Sequence, residues 1–289
     1  IYELISDYSK SKEYAERASS IKLEINDKKG EGSSLNNIGA VYRSLGDYTN
    51  ALSYFNKSYE ISKAIGDRRL EGYTQLAKAL VRVRESGVRK SGEKIETEKR
   101  NKIPLTPFEK GEGETEKKQE NEAQEYCRDA LKIALEIGSK GMELEALAVM
   151  AKVLLTNDKG LMTNDKVAND KSALDYSTKA IEMLTSGVKI EENVITEQEI
   201  WFNHYLVISH WSLVISQRSK DKEQPEPDIT SAMKQSINPL QKAYEIVMEK
   251  ANRIKESEFR QSFLENVKIN KEIVKESMSH GLLERKNDK

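Results

Sequence analysis

Apolar residues recur along this chain at spacings of three and four. Leu35, Ile38, Gly39 and Tyr42 stand at 0, 3, 4 and 7 and share one face of a helix; Ala51, Phe55 and Ser58 share one face of a second. The first-type face returns at Leu76, Ala79, Leu80 and Val83, and again at Leu147, Met150, Ala151 and Leu154. Its second-type mates are predicted at Ala123, Cys127, Ala130 and Ile133, and at Ala173, Tyr176 and Ala180. Gly39 and Ala51 are small where the first two helices would cross, with the bulky Tyr42 and Phe55 alongside. Gly46 is placed to end the first helix in a left-handed conformation and Asp47 to cap the next. The two helices then form a hairpin.

The pattern is periodic. Asp7-Tyr8 through Asn26-Asp27 aligns with Asp47-Tyr48 through Gly66-Asp67 at an offset of 40, pairing Tyr8 with Tyr48, Ile25 with Ile65 and Asp27 with Asp67. One helix pair cannot bury both its faces, so neighbouring pairs must stack. Further on, Trp201, Tyr205, Ile208 and Ser212 mark another helix, broken by the polar stretch from Ser219 to Pro227. Asp228 is placed to cap the helix after that break, and Pro239 predicts a kink or a restart with itself as the first helical residue. Leu240, Ala243, Tyr244 and Val247 continue the stripe, and Phe259, Phe263, Val267 and Ile273 predict one last helix over 257–280.

The order Gly32-Ser-Ser-Leu35-Asn-Asn-Ile38-Gly39-Ala-Val-Tyr42-Arg-Ser-Leu-Gly46-Asp47-Tyr48, followed by Ala51-Leu-Ser-Tyr-Phe55-Asn-Lys-Ser58, resembles the tetratricopeptide repeat in its long form, with a period near 40. The resemblance implies an all-α, right-handed superhelical solenoid of antiparallel helix pairs with a C-terminal capping helix. Its first helices would occupy 1–85 and further pairs 123–256, with loops at 156–171 and 218–227. Trp201-Phe-Asn-His204-Tyr205 and Phe259-Arg-Gln-Ser-Phe-Leu264-Glu-Asn-Val267 are similar to the closing segment of such regions in large bacterial signalling proteins. Those carry a kinase, nucleotide cyclase or AAA-type ATPase module upstream. The chain opens on Ile and its first ten residues read as helix, which agrees with a C-terminal piece of such a protein.

Composition changes this picture at two places. Residues 86–122 hold nine acids and nine bases but few apolar residues, too few to offset an ordering cost of about 1–2 kcal/mol per residue, so a disordered charged insertion is expected. Within it, Ile103 to Gly111 reads as a tolerated insertion at a hairpin tip, with a short linear motif as the alternative. The second insertion repeats Asn-Asp-Lys at 157, 164 and 169 and reads as a low-complexity loop without the spacing of a calcium loop.

Charge and chemistry mostly exclude. Lys plus Arg number 47 against 48 for Asp plus Glu, so no global field draws in nucleic acid or an anionic membrane. The longest uncharged stretch, Ile200 to Gln217, contains two His, an Asn and three Ser and suits a core helix better than a membrane span. Cys127 is the lone cysteine and no secretory signal opens the chain, which fits a reducing cytoplasm. His204 and His210 stand six apart, about 120° around a helix, and cannot easily share a metal. Lys110-Gly-Glu-Gly-Glu has acids where a phosphate loop needs Lys and Ser or Thr. No catalytic set, metal site or cofactor is expected, and no enzyme in this segment by itself.

What remains is a concave surface lined by first-type helices. The positions turned inward are Ser33, Asn36, Asn37, Ala40 and Arg43, then Lys78, Val81 and Arg84, then Val149 and Lys152. Asn36, Asn37, Arg43, Lys78, Arg84 and Lys152 are the candidate peptide-binding residues: Asn can pair with an extended backbone, while Arg and Lys can hold a carboxylate. The expected function is a non-catalytic protein- or peptide-binding scaffold. The alternatives are the regulatory portion of an enzyme whose catalytic domain lies upstream, or a sensor of a peptide pheromone.

Overall fold

A computed structural model of the chain describes residues 8–91, 112–156, 164–191, 194–221 and 237–282. Among these residues are eleven helices and no strand: α1 (Tyr8–Glu24), α2 (Lys28–Ser44), α3 (Tyr48–Ile65), α4 (Arg68–Ser91), α5 (Glu112–Glu136), α6 (Lys140–Thr156), α7 (Asn164–Thr185), α8 (Glu197–Asp221), α9 (Ile237–Asn252), α10 (Ser257–Glu265) and α11 (Lys268–Ser279). The periodic faces are closed as their spacing requires. Ile38, Ala51, Phe55, Leu76, Ala79, Leu80, Val83 and the four apolar positions of α5 are all buried, as are Leu147, Met150, Ala151 and Leu154.

One turn joins helix to helix repeatedly. Asn26, Gly46, Gly66 and Gly138 take positive φ, between 56° and 78°, where a Cβ is disfavoured and Gly or Asn tolerated. The residue after it then caps the next helix. Asp27 accepts from the Gly30 amide at 2.8 Å, Asp47 from Asn50 at 3.1 Å, Asp67 from Leu70 at 3.0 Å, and the Ser139 hydroxyl from Met142 at 3.3 Å. The amides of Asp27, Asp47 and Asp67 donate to the carbonyls of Lys22, Tyr42 and Ser62, so each turn also satisfies the helix it ends. The first three turns stand twenty residues apart, at 26–27, 46–47 and 66–67. The links at 46–47 and 66–67 leave α2, α3 and α4 packed one on the next.

The chain forms two compact units, one of Ala15–Ile137 and the other of Ile1–Tyr14 with Gly138–Lys289. In the first, α2 packs on α3, α3 on α4 and α4 on α5, and α2 also touches α4. Gly39 passes directly against the Phe55 ring. Ala51, Phe55, Ala77 and Val81 form a buried cluster beside Tyr42, and Tyr42 stacks on Tyr54 with ring centres 5.4 Å apart. A buried polar ladder runs through the same place. Ser58 donates to the Gly32 carbonyl at 2.8 Å and lies 3.4 Å from the Thr74 hydroxyl, which reaches Asn36 Oδ1 at 3.3 Å. Three helices are thereby held in one register. At the margin Lys29 pairs with Asp67 at 3.1 Å, and Arg68 pairs with both Glu71 and Glu136.

In the second unit α6 packs on α7, α7 on α8 and α8 on α9, while α6 also meets α8. Phe202, Leu240, Ala243, Val247, Ala251, Phe263 and Ile273 form its core cluster. Lys140 pairs with Glu143 at 2.7 Å, as Lys28 pairs with Glu31 at 2.9 Å at the start of α2. A cation in the first turn and a Glu three residues later thus recur at the start of first-type helices.

Several expected boundaries shift. Helix occupies both ends of the segment expected to be disordered, since α4 runs to Ser91 and α5 begins at Glu112. Lys, Arg, Glu and Gln are good helix formers and prolong a helix whose packed part is already fixed. Residues 92–111, including the Ile103 segment, lie outside the described residues, as do 157–163 and 222–236 with Asp228. The loop expected at 156–171 is helical from Asn164, and the one expected at 218–227 is helical as far as Asp221. Asp170, read as loop, is buried in α7 with Oδ1 3.3 Å from His210 Nε2 on α8. Pro239 is buried as the third residue of α9 rather than the first; in the first turn its missing N–H has no helical acceptor to lose.

The closing helix is two helices. Val267 is extended between α10 and α11, and the Asn270 side chain donates to the Phe263 carbonyl at 3.0 Å. That bond replaces the acceptor's lost helical partner inside the core. Phe259, expected in the core, is 45% exposed, whereas Phe263 and Ile273 are buried.

Candidate peptide-binding surface

The hairpin α2–α3 sets the orientation of the candidate residues. Ile38 and Gly39 are held against α3, which turns Asn37 to solvent and leaves Ser33, Asn36 and Ala40 half-buried. Asn36 is joined to α4 through Thr74. Arg43 is buried in the last turn of α2, where the helix dipole favours a cation. Arg84 stands half-buried on α4.

Lys78 is placed otherwise. It is 6% exposed, with its ammonium 4.9 Å from the Tyr59 ring centre on α3 and 4.2 Å from that of Tyr126 on α5. Two aromatic faces compensate part of the lost hydration. Burial first, then the neighbouring Arg82, lowers its pKa, and burial raises those of both tyrosines. Val81 and Val149, expected to line the groove, are fully buried. Lys152 belongs to the second unit, where it pairs with Glu199 at 2.5 Å. Asn37, Asn36 and Arg84 are therefore the candidates of the first unit that reach solvent.

Sequence spacing did not single out Thr74, Tyr59, Tyr126 or Glu199. Tyr59 follows the buried Ser58 and Tyr126 precedes the buried Cys127, so each lies at the edge of its helix's apolar stripe. Nothing along the chain says that one lysine of α4 sits between them.

The other reactive side chains are engaged or shielded. Burial pushes the Cys127 thiol far above its ordinary value, so it holds no thiolate near neutral pH. His204, on α8, is half-buried against Ser177 of α7, and loss of hydration there lowers its pKa to about 4. The Ser177 hydroxyl lies 3.1 Å from the Leu174 carbonyl and 3.0 Å from His204 Nδ1. Tyr205 donates to Glu276 at 2.8 Å and lies 2.7 Å from His280 Nε2, joining α8 to the end of α11. Among the described residues, no group of three or more His, Cys, Asp and Glu could hold a metal ion, and no helix is long and apolar enough to cross a membrane.

No curated protein matches the chain. Residues 30–85, which span α2, α3 and most of α4, match the family model of the tetratricopeptide repeat, a module of protein–protein interaction, and the all-α fold is built of helix pairs of that type.

Proposed function

We propose that this chain is a non-catalytic scaffold that binds a protein or peptide segment in an extended form. The match over 30–85 carries the reading, together with the way α2 spends its apolar face on α3 and offers Asn37 to solvent. A side-chain amide supplies one acceptor and two donors, the complement of an extended backbone. Asn36 and Arg84, on neighbouring helices of the same unit, supply the polar and cationic surroundings that suit a segment bearing a carboxylate. Lys78 takes part by holding α4 between α3 and α5. A preformed stack of helices presents such a surface at little ordering cost.

The likeness of Phe259 to Val267 to the closing segments of bacterial signalling proteins supports a regulatory or assembly role inside a larger cytoplasmic polypeptide. Arg260 gives that motif a structural part, donating twice to the Ile254 carbonyl, at 3.1 and 2.7 Å, and so fixing α10 on the end of α9. A peptide array probed with residues 1–289 tests the scaffold reading. Peptides retained by the parent chain should bind Asn37→Ala and Arg84→Ala more weakly, with melting unchanged. Equal retention by both variants overturns it.

A further inference from the structure

Helix α6 repeats α2 at an offset of 112, which matches Lys28 with Lys140, Glu31 with Glu143 and Leu35 with Leu147. Along one stripe the two helices differ. Lys29, Ser33 and Asn37 are exposed or half-buried on α2; their counterparts on α6 are Gly141, Glu145 and Val149, and Glu145 and Val149 are fully buried. The links beside the two stripes differ as well. Helix α3 passes to α4 through Gly66 and Asp67, whose carboxylate meets Lys29 at 3.1 Å, whereas α7 passes to α8 through residues 186–196. In that longer link the non-helical segment 188–191 lies on α6. The Glu191 amide donates to Glu145 Oε1 at 3.0 Å, and a Cβ on Gly141 would stand 2.8 Å from the Lys189 carbonyl oxygen. A Gly where α2 has Lys29 gives that carbonyl room, and a Glu where α2 has Ser33 gives the N–H its acceptor.

We propose that segment 188–191 is an autoinhibitory strap, seated on the α6 stripe and releasable from it without unfolding of the helices beside it. Its ends are fixed. Gly187, with φ 94°, and the bond from the Val188 amide to the Met183 carbonyl at 3.1 Å tie one end to α7, and Val194 and Ile195 are buried at the other. The middle is held lightly: Lys189 is exposed, and Val188, Ile190 and Glu191 are half-buried. A segment with fixed ends and little apolar burial opens locally. On opening, the Glu145 carboxylate regains water, which offsets the loss of its bond to Glu191. While the strap is seated, its tether gives it a high effective concentration at α6, so a free segment of the same chemistry competes poorly. The inference rests on the scaffold reading, since it takes the α6 stripe, like that of α2, for a binding face.

The probe is a synthetic peptide with the sequence of residues 186–191, capped at both ends, titrated into the isotope-labelled 1–289 chain and followed by the backbone resonances of α6. Glu191→Pro removes the N–H that reaches Glu145 and so frees the seat. It should bind the peptide saturably and more tightly than the parent chain by about tenfold or more. Adding Gly141→Lys, the residue α2 carries at that position, should abolish this binding with helicity and melting unchanged. Hydrogen exchange on the parent chain gives a readout without any substitution: the amides of Ile190 and Glu191 should exchange faster than those in the middle of α6 and α7 by about tenfold or more. No saturable binding to folded Glu191→Pro, equal binding by the parent, or undiminished binding once Gly141→Lys is added overturns the proposal. Exchange at 190 and 191 only in step with α6 also overturns it, because the segment is then part of the packed unit. Loss of the Asn37 and Arg84 effects on the peptide array, with these results intact, would instead remove the groove of the first unit alone.

Discussion

Gly39 of α2 faces Phe55 of α3 so closely that a methyl group on Gly39 would sit 2.7 Å from two ring carbons. Phe55 is fully buried beneath α4 as well, so the ring has little room to yield. The absence of a side chain at 39 therefore sets how closely α2 and α3 approach, and with it the angle at which α2 presents Asn37.

Gly39→Ala should destabilise the chain by about 1–3 kcal/mol, the usual cost of overpacking. Helix propensity alone would favour Ala over Gly by about 1 kcal/mol, so a loss of stability identifies the contact as the cause. Adding Phe55→Leu should recover part of the loss in a double-mutant cycle followed by urea denaturation. Strict additivity would show that the two residues do not share the space.

Lys78 gives a second prediction. Tyr126→Ala removes one of its two aromatic faces, opens a void beside α5 and should cost about 2–4 kcal/mol. Tyr126→Phe keeps the ring and should cost under about 1 kcal/mol. Thermal melts of the two variants separate ring packing from the hydroxyl.

His204 makes stability depend on pH in a defined window. Its folded pKa of about 4 lies below the ordinary 6.5, so the unfolded chain takes up the proton first. Stability from this group is constant above about pH 6.5, falls as the pH drops toward 4, and is fully lost below that, by at most about 3 kcal/mol. His204→Asn, which keeps a polar side chain beside Ser177 but does not titrate, should remove that slope. Urea midpoints across pH 4–8, compared between the two chains, provide the measurement. Carboxylates such as Asp67 and Glu143, whose pKa values are lowered in the fold, act mainly below this window and contribute equally to both.

Asn270 is the hinge pin of the C-terminal end. It is fully buried, donates to the Phe263 carbonyl and lies near Gln198 of α8. Asn270→Leu leaves that carbonyl without a partner in the core and should cost about 1–3 kcal/mol. Hydrogen exchange should quicken first in α10 and α11, with α2 and α3 unaffected.

The repeat, the helix pairs and the turns were legible in the chain because they depend on local chemistry. Spacings of three and four define a helix face wherever it lies, and a Gly followed by Asp ends one helix and starts the next through bonds spanning at most five residues. Leu76, Cys127 and Leu147 were correctly assigned to the interior for that reason. Tertiary packing decided the rest. Asp170 and Asn270 are polar residues whose burial depends on partners far along the chain, and Phe259 stands exposed although Phe263, one turn on in the same helix, is buried. Lys78 looked like a groove cation from its position on α4, yet two tyrosines from different helices enclose its charge. A face is fixed by the period of the helix that bears it, whereas what covers that face is fixed by distant residues brought beside it in space.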